Sequence, residues 1–118
     1  MHELSVAHAI VETVTESLES QDRVLRVELD MGDLSGIVED SLRFCFELAT
    51  AGTPLEGCVL EISRIPATFH CHPCGATFEP QQSWRMVCPT CQTASADLRG
   101  GRELLVRAVE VDTLVGAS

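Results

Sequence analysis

The chain carries two Cys-x-x-Cys pairs, Cys71-His72-Pro73-Cys74 and Cys88-Pro89-Thr90-Cys91, with thirteen residues between them. Few features constrain a fold more, because four thiols must converge on one point. Each short turn offers two thiolates to one side of a metal, and two turns close a tetrahedral shell of the kind zinc prefers. A proline inside each knuckle stiffens the turn, and Gly75 can take the positive φ that aims backbone amides at sulfur. Four thiolates leave no open coordination position, so the expected zinc is structural. Two disulfides or unmetallated thiols form the weaker competing reading.

Size and charge bound the rest. A chain of 118 residues makes one domain, or one domain with a small insertion. Cysteine usage points to a reducing compartment. Met1-His2-Glu3 lacks the basic start and apolar run of a signal peptide, and no stretch approaches the roughly 18 to 20 apolar residues of a membrane span. The expectation is a soluble, cytoplasmic protein with no membrane partner. Its net charge is −10 and all eight basic residues are arginines. Between Pro66 and Gly100 the charges are Glu79, Arg85, Asp97 and Arg99, which cancel. Phosphate binding needs a basic stripe, so no nucleic acid is expected, and a zinc-ribbon nucleic-acid or transcription adaptor ranks second among the functions considered. An acidic surface suits cations or a basic protein instead. No general base stands beside an open metal position, and neither a Ser/Cys–His signature nor a phosphate-binding glycine loop is present. The chain is not expected to be an enzyme.

Along the chain, Leu4, Ala7, Val11, Val14 and Leu18 recur at helical spacing and predict a helix from Leu4 to about Ser20. Val24 to Met31 alternates, with Leu25, Val27, Leu29 and Met31 on one face of a half-buried strand. Acids at Glu39 and Asp40 open a second helix whose buried face is read as Leu42, Phe44, Cys45, Leu48 and Ala49, and Gly52 with Pro54 ends it. Cys58 to Ile65 and Leu104 to Asp112 complete a set of three strands, with Arg107 on the nominally apolar face of the last. The order predicts an α+β fold: a two-layer domain of two helices on a small three-stranded sheet, formed by residues 1–65 with 102–118. Residues 66–101 form an inserted zinc-ribbon module, covered by Phe78 and Trp84. His70 and His72 flank a zinc cysteine and are read as exposed knuckle residues ahead of spare ligands or a transfer site, Cys45 and Cys58 are buried as small hydrophobes, and His8 packs at the boundary of the first helix.

The second unusual chemistry lies at the first residues. Methionine aminopeptidases need a small second residue, so Met1 stays and His2 remains second. The Met1 α-amine, the His2 amide nitrogen and the His2 imidazole then lie in one short arc. Amine and amide close a five-membered chelate ring, and amide and Nδ1 a six-membered one. Three coplanar nitrogens suit square-planar Ni(II) or Cu(II), with Glu3 or a side chain from elsewhere completing the set. Against this stands the ordinary terminal histidine, frayed and solvated.

Met1-His2-Glu3-Leu4-Ser5, a following helix and the paired knuckles together resemble the HypA/HybF family of hydrogenase nickel-insertion proteins. The similarity extends through the Met31-Gly32-Asp33-Leu34 loop, the helix from Glu39 to Glu47 and the strand from Glu103 to Val111. The resemblance implies a nickel metallochaperone that delivers Ni(II) to the active site of [NiFe] hydrogenase during its maturation. It implies nickel on His2 with the Met1 backbone amine and Glu3 close by, an acid at Asp40 near that site, and structural zinc(II) on Cys71, Cys74, Cys88 and Cys91. The implied partners are a HypB-type GTPase and the hydrogenase large subunit; a homodimer is left open. One departure is Gln92, where the second knuckle would be expected to carry a glycine.

Overall fold

The computed structural model describes residues 2–80 and 86–113. Met1 and Trp84 therefore lie outside the described residues. Helix α1 spans Glu3–Glu16 and buries Val6, Ala7, Ile10, Val11 and Val14, a stripe repeating every three to four residues. It ends earlier than the sequence periodicity predicts. The Ser17 hydroxyl donates to the Val14 carbonyl at 2.7 Å, and the Ser17 N–H also turns back to Val14. Leu4 is exposed, Leu18 is only half-buried, and His8, expected at a packing boundary, is exposed.

Strand β1 (Asp22–Gly32) buries Val27, Leu29 and Met31 as the alternation predicts. Leu25 is exposed and Val24 is buried instead. The Val24 N–H bonds to the Pro54 carbonyl at 3.0 Å, so the first residues of the strand follow the loop after the second helix, ahead of the regular pleat.

Helix α2 (Glu39–Thr50) buries Leu42, Phe46, Ala49 and Thr50. The expected buried face was partly wrong: Phe44 and Leu48 are 64% and 59% exposed, and Cys45 is half-buried. Phe44 and Phe46 project about 200° apart on a helix, so burying one exposes the other. The rotation is fixed by Arg43, which donates to the Leu60 carbonyl at 2.7 Å and to Glu39 at 3.1 Å.

Strands β2 (Val59–Ile65) and β6 (Leu104–Thr113) flank β1 in the order β2-β1-β6. Side-chain pairs reveal their sense. Arg26 meets Glu110 and Arg107 meets Glu28, so β6 runs against β1. Arg26 also meets Glu61, and Arg107 reaches Ser63 beside Glu28, so β2 runs with β1, as the crossover through α2 requires. Arg107 looked misplaced in sequence because an apolar face was expected there. It lies instead among Glu28 at 3.0 Å, Asp30 at 3.5 Å and Ser63 at 3.2 Å. Exposed pairs of this kind contribute at most about 1 kcal/mol each, but they discriminate between registers.

The chain divides into two compact units, residues 1–30 with 36–63 and 105–118, and residues 31–35 with 64–104. The second unit contains its own sheet, ordered β4-β3-β5, from β3 (Thr68–His70), β4 (Thr77–Phe78) and β5 (Leu98–Gly100). Strands of two or three residues are too short to show periodicity, and the sequence reading did not include them. The core of this unit is Ala67, Phe69, Cys71, Phe78 and Cys88, with Leu98 against it. Phe69 and Phe78 stack with centroids 6.0 Å apart. Phe78 therefore covers the knuckles as expected. Cys58, like Cys45, is half-buried where full burial was expected.

Segment 31–35 is stitched into this second unit by its backbone. Gly32 N–H donates to Glu103 O at 2.7 Å, Asp33 N–H to Ile65 O at 2.9 Å and Leu34 N–H to Gly101 O at 2.6 Å. Backbones approach so closely here that a Cβ on Gly32 would sit 2.1 Å from the Gly101 oxygen. Gly36, by contrast, has open space and a φ of +81°. Gly32→Ala should therefore lower stability by about 3 kcal/mol or more through backbone overlap, and Gly36→Ala by only about 1 kcal/mol through φ strain. Urea unfolding of both variants checks this ordering.

Candidate metal centre

The two knuckles are built by one repeated backbone device. In the first, Gly75 N–H donates to Cys71 O at 2.7 Å and Cys71 N–H to Ala76 O at 2.8 Å. In the second, Gln92 N–H donates to Cys88 O at 2.7 Å and Cys88 N–H to Thr93 O at 2.9 Å. The residues that bracket each loop also pair alike, His70 with Thr77 and Val87 with Ala94. Both loops close through a left-handed residue, Gly75 at φ 74° and Gln92 at φ 62°. Gln92 thus adopts the glycine conformation without being glycine.

These loops bring the four Sγ atoms within 4.8 Å of one another. Cys71 and Cys91 are 3.4 Å apart, and Cys74 and Cys88 3.6 Å. A tetrahedral metal–thiolate shell with bonds of about 2.3 Å has sulfur–sulfur edges of about 3.8 Å, so the set fits a single ion. It does not fit disulfides, whose sulfurs stand about 2.05 Å apart. In each knuckle the first cysteine is buried and the second exposed.

Charge explains why a cation belongs there. The Cys91 thiol is drawn down to about 6, first by the Thr93 hydroxyl 3.3 Å away, then by the Thr93 N–H and Cys71. Cys88 is lowered, first by the Cys91 N–H and also by that of Thr90. The Cys74 N–H favours the Cys71 thiolate too, but burial and the three neighbouring sulfurs outweigh it and push Cys71 up to about 12. Without a cation the four sulfurs cannot all ionise together. A divalent ion removes that conflict and displaces the remaining protons, so its affinity falls as pH falls.

Around the first residues the geometry is different. His2 is the N-cap of α1, exposed, with extended backbone at φ −84° and ψ 135° and no side-chain cap bond. Its carbonyl accepts the Val6 N–H at 3.2 Å. The neighbouring Glu3 accepts the Val38 N–H at 3.1 Å through Oε2, and that bond holds its carboxyl below the usual range. Val38 is the N-cap of α2, so Glu3 ties the start of one helix to the start of the other. Sequence reasoning gave Glu3 no such structural task. Asp40 is exposed in the first turn of α2. Among the described residues only the four cysteines assemble as three or more ligating side chains. Among the described residues, His2 and Glu3 therefore belong to no such group of His, Cys, Asp and Glu side chains.

Comparison with known proteins now has a geometry to rest on. Residues 1–111 match the family model described as hydrogenase/urease nickel incorporation, metallochaperone, hypA. The chain belongs to the HypA family. A hydrogenase maturation factor HypA from Dehalococcoides mccartyi strain CBDB1 is 41% identical over 114 residues, covering 95% of each chain. One from Streptomyces avermitilis is 42% identical over 112 residues, covering 92% of this chain and 86% of its own. The solution structure of the Ni metallochaperone HypA from Helicobacter pylori superposes with a TM-score of 0.60 at 22% identity, over 93% of this chain and 97% of that one. At that identity the likeness speaks for the fold. Family membership makes this a nickel metallochaperone of hydrogenase maturation.

Gln92 generates a test specific to this chain. A side chain in the left-handed region costs about 1 kcal/mol relative to glycine, partly offset by glycine's greater freedom when unfolded. Gln92→Gly should therefore raise the stability of the metal-loaded chain slightly, by up to about 1 kcal/mol, and Gly75→Gln should lower it by about as much. Thermal unfolding of the pair measures both signs.

Proposed function

We propose that this chain carries Ni(II) at its first residues and delivers it to the large subunit of [NiFe] hydrogenase, working with a HypB-type GTPase. Nickel is the cargo, held by the Met1 amine, the His2 amide nitrogen and the His2 imidazole. The observation that carries this reading is the placement of His2 as an exposed N-cap. As the N-cap of α1, His2 has an N–H with no intrahelical acceptor, so the helix does not use it. Losing that proton to a metal costs the helix no hydrogen bond, while the His2 carbonyl still holds Val6. Glu3 is already engaged by Val38. Its part is to fix the helix start and to supply negative charge beside the cation, and Asp40 adds to that charge.

Zinc(II) on Cys71, Cys74, Cys88 and Cys91 is the resident metal. The soft, closed sulfur shell suits zinc, whereas planar nitrogens suit nickel, so the two ions are sorted by donor type and geometry. In this reading residues 1–65 with 102–118 are the nickel-binding domain and 66–101 the zinc-binding domain, acting in the cytoplasm.

Two outcomes are expected. His2→Ala should abolish tight Ni(II) binding while zinc content and far-UV circular dichroism stay unchanged, and one extra N-terminal glycine should weaken nickel comparably by displacing the amine. Because that amine ordinarily titrates near about 7.7 to 8 and must lose its proton, nickel affinity should fall as pH drops below this range. Calorimetric titrations that match the parent in both variants would remove the terminal site.

Cys74→Ser and Cys91→Ser should each lose the single zinc found per chain by elemental analysis, and residues 66–101 should become the first region to exchange amide protons. Two of the five buried core residues there, Cys71 and Cys88, are ligands themselves, which leaves little else to hold the module. A fully oxidised four-cysteine form isolated from reducing cells would contradict the zinc assignment.

A further inference from the structure

We propose that His70 and His72 form a second cation site, separate from the four cysteines, that takes a borderline divalent ion of the nickel class through two imidazole nitrogens. The proposal goes beyond the terminal nickel site and does not need it. His70 ends β3 and His72 begins the first knuckle turn, so they straddle Cys71. Their rings stand 4.8 Å apart at 88°. With metal–nitrogen bonds of about 2.0–2.1 Å, two imidazoles on one ion at angles of about 90–109° keep their ring centres about 4.5–5.2 Å apart. The observed separation falls inside that window.

Asp97 prepares one of the two rings. Its Oδ2 lies 2.7 Å from His72 Nε2. The same carboxylate is ion-paired with Arg99 at 2.7 Å, and a carboxylate so paired only accepts. His72 must therefore donate from Nε2, which in the neutral ring leaves the Nδ1 lone pair for a metal. A carboxylate accepting the far N–H is the usual partner of a metal-binding histidine. Arg99 grips both carboxylate oxygens, at 3.0 and 2.7 Å, and so fixes Asp97 as an orienting group with no ligand role. Hydrogen bonds hold the backbone that carries the other ring: His70 N–H donates to Asp97 O at 2.9 Å, and the His70 carbonyl accepts the Ser95 hydroxyl. The His72 side chain is 71% exposed, so water or an incoming donor can fill the remaining positions. Two protein ligands make such a site weak and quick to exchange.

The test uses the full-length, zinc-loaded chain carrying His2→Ala, with Ni(II) alone as probe and zinc measured in the same samples. One weak equivalent of nickel should remain. His70→Gln and His72→Gln should each weaken it at least tenfold, and Asp97→Asn about tenfold, with one zinc retained throughout. In the parent chain His2→Ala removes only the tight phase and His70→Gln only the weak one, so the two sites fail independently. Should a glutamine variant lose zinc, Cu(II) on the His2→Ala chain decides, since its electron paramagnetic resonance spectrum should show two coupled imidazole nitrogens. Absence of residual nickel, indifference to both glutamine variants, or a copper spectrum without two nitrogens would overturn the proposal.

Discussion

Four sulfurs within 4.8 Å of one another impose the condition that organises the second unit. The Cys91 N–H draws Cys88, and the Thr93 hydroxyl and N–H draw Cys91, toward the thiolate, yet Cys71 is pushed up to about 12 by burial and its sulfur neighbours. The cluster is thus shaped for more negative charge than it can hold alone. The cluster around the knuckles, Ala67, Phe69 and Phe78 with the two inner cysteines, has little apolar surface to offset that conflict. The short strands β3, β4 and β5 act chiefly as a frame that presents two loops of the same geometry to one point.

Repetition is what makes the frame economical in sequence. The two loops share hydrogen bonds at the same offsets, from residue four to residue zero and from residue zero to residue five. Little beyond the Cys-x-x-Cys spacing and a proline is common to the two sequences. Backbone geometry therefore carries the repeat, and side chains carry the differences. Gly75 meets the left-handed requirement without strain, whereas Gln92 meets it with some. Thr93 replaces Ala76 and sets its hydroxyl beside Cys91, which draws the outer thiol of the second knuckle down.

The four-cysteine cluster was legible because it depends on local spacing: a Cys-x-x-Cys turn needs no tertiary information, and the chelate proposed at His2 is read from local spacing as well. The helices, three long strands and their α+β arrangement were legible for a similar reason, since their periodicity spans many residues. What escaped the reading depends on contacts distant in sequence. Phe44 and Leu48 looked as apolar as Phe46, and the packing that turns Leu42, Phe46 and Ala49 inward cannot be read from local spacing. Leu25 lost its place to Val24 through a bond to Pro54. Arg107 read as a blemish until Glu28 and Asp30 stood beside it. The near contact of Gly32 with Gly101 joins residues almost seventy positions apart, and a lone glycine in a loop gives no sign of such a partner.

A carrier site at the first residues, as proposed, would set demands on the first helix that oppose its own electrostatics. A helix N-terminus bears about half a positive charge, which disfavours a cation by roughly 0.3–1 kcal/mol. Three features reduce that penalty: the amide at residue 2 can give up its proton, Glu3 stays ionised on Val38, and Glu39 and Asp40 place further acid in the first turn of α2. Glu3 and the α2 acids are not gathered into a ligand cage with His2, since no such group of three side chains forms among the described residues. They lower the electrostatic cost of holding the ion without adding bonds that must break for it to leave. Affinity can then come from chelate rings of backbone nitrogen, which open one bond at a time when a competing donor arrives. A closed thiolate shell offers no such sequence of steps, because no position is vacant for the first exchange. Retention and release are thereby assigned to different chemistries within one short chain.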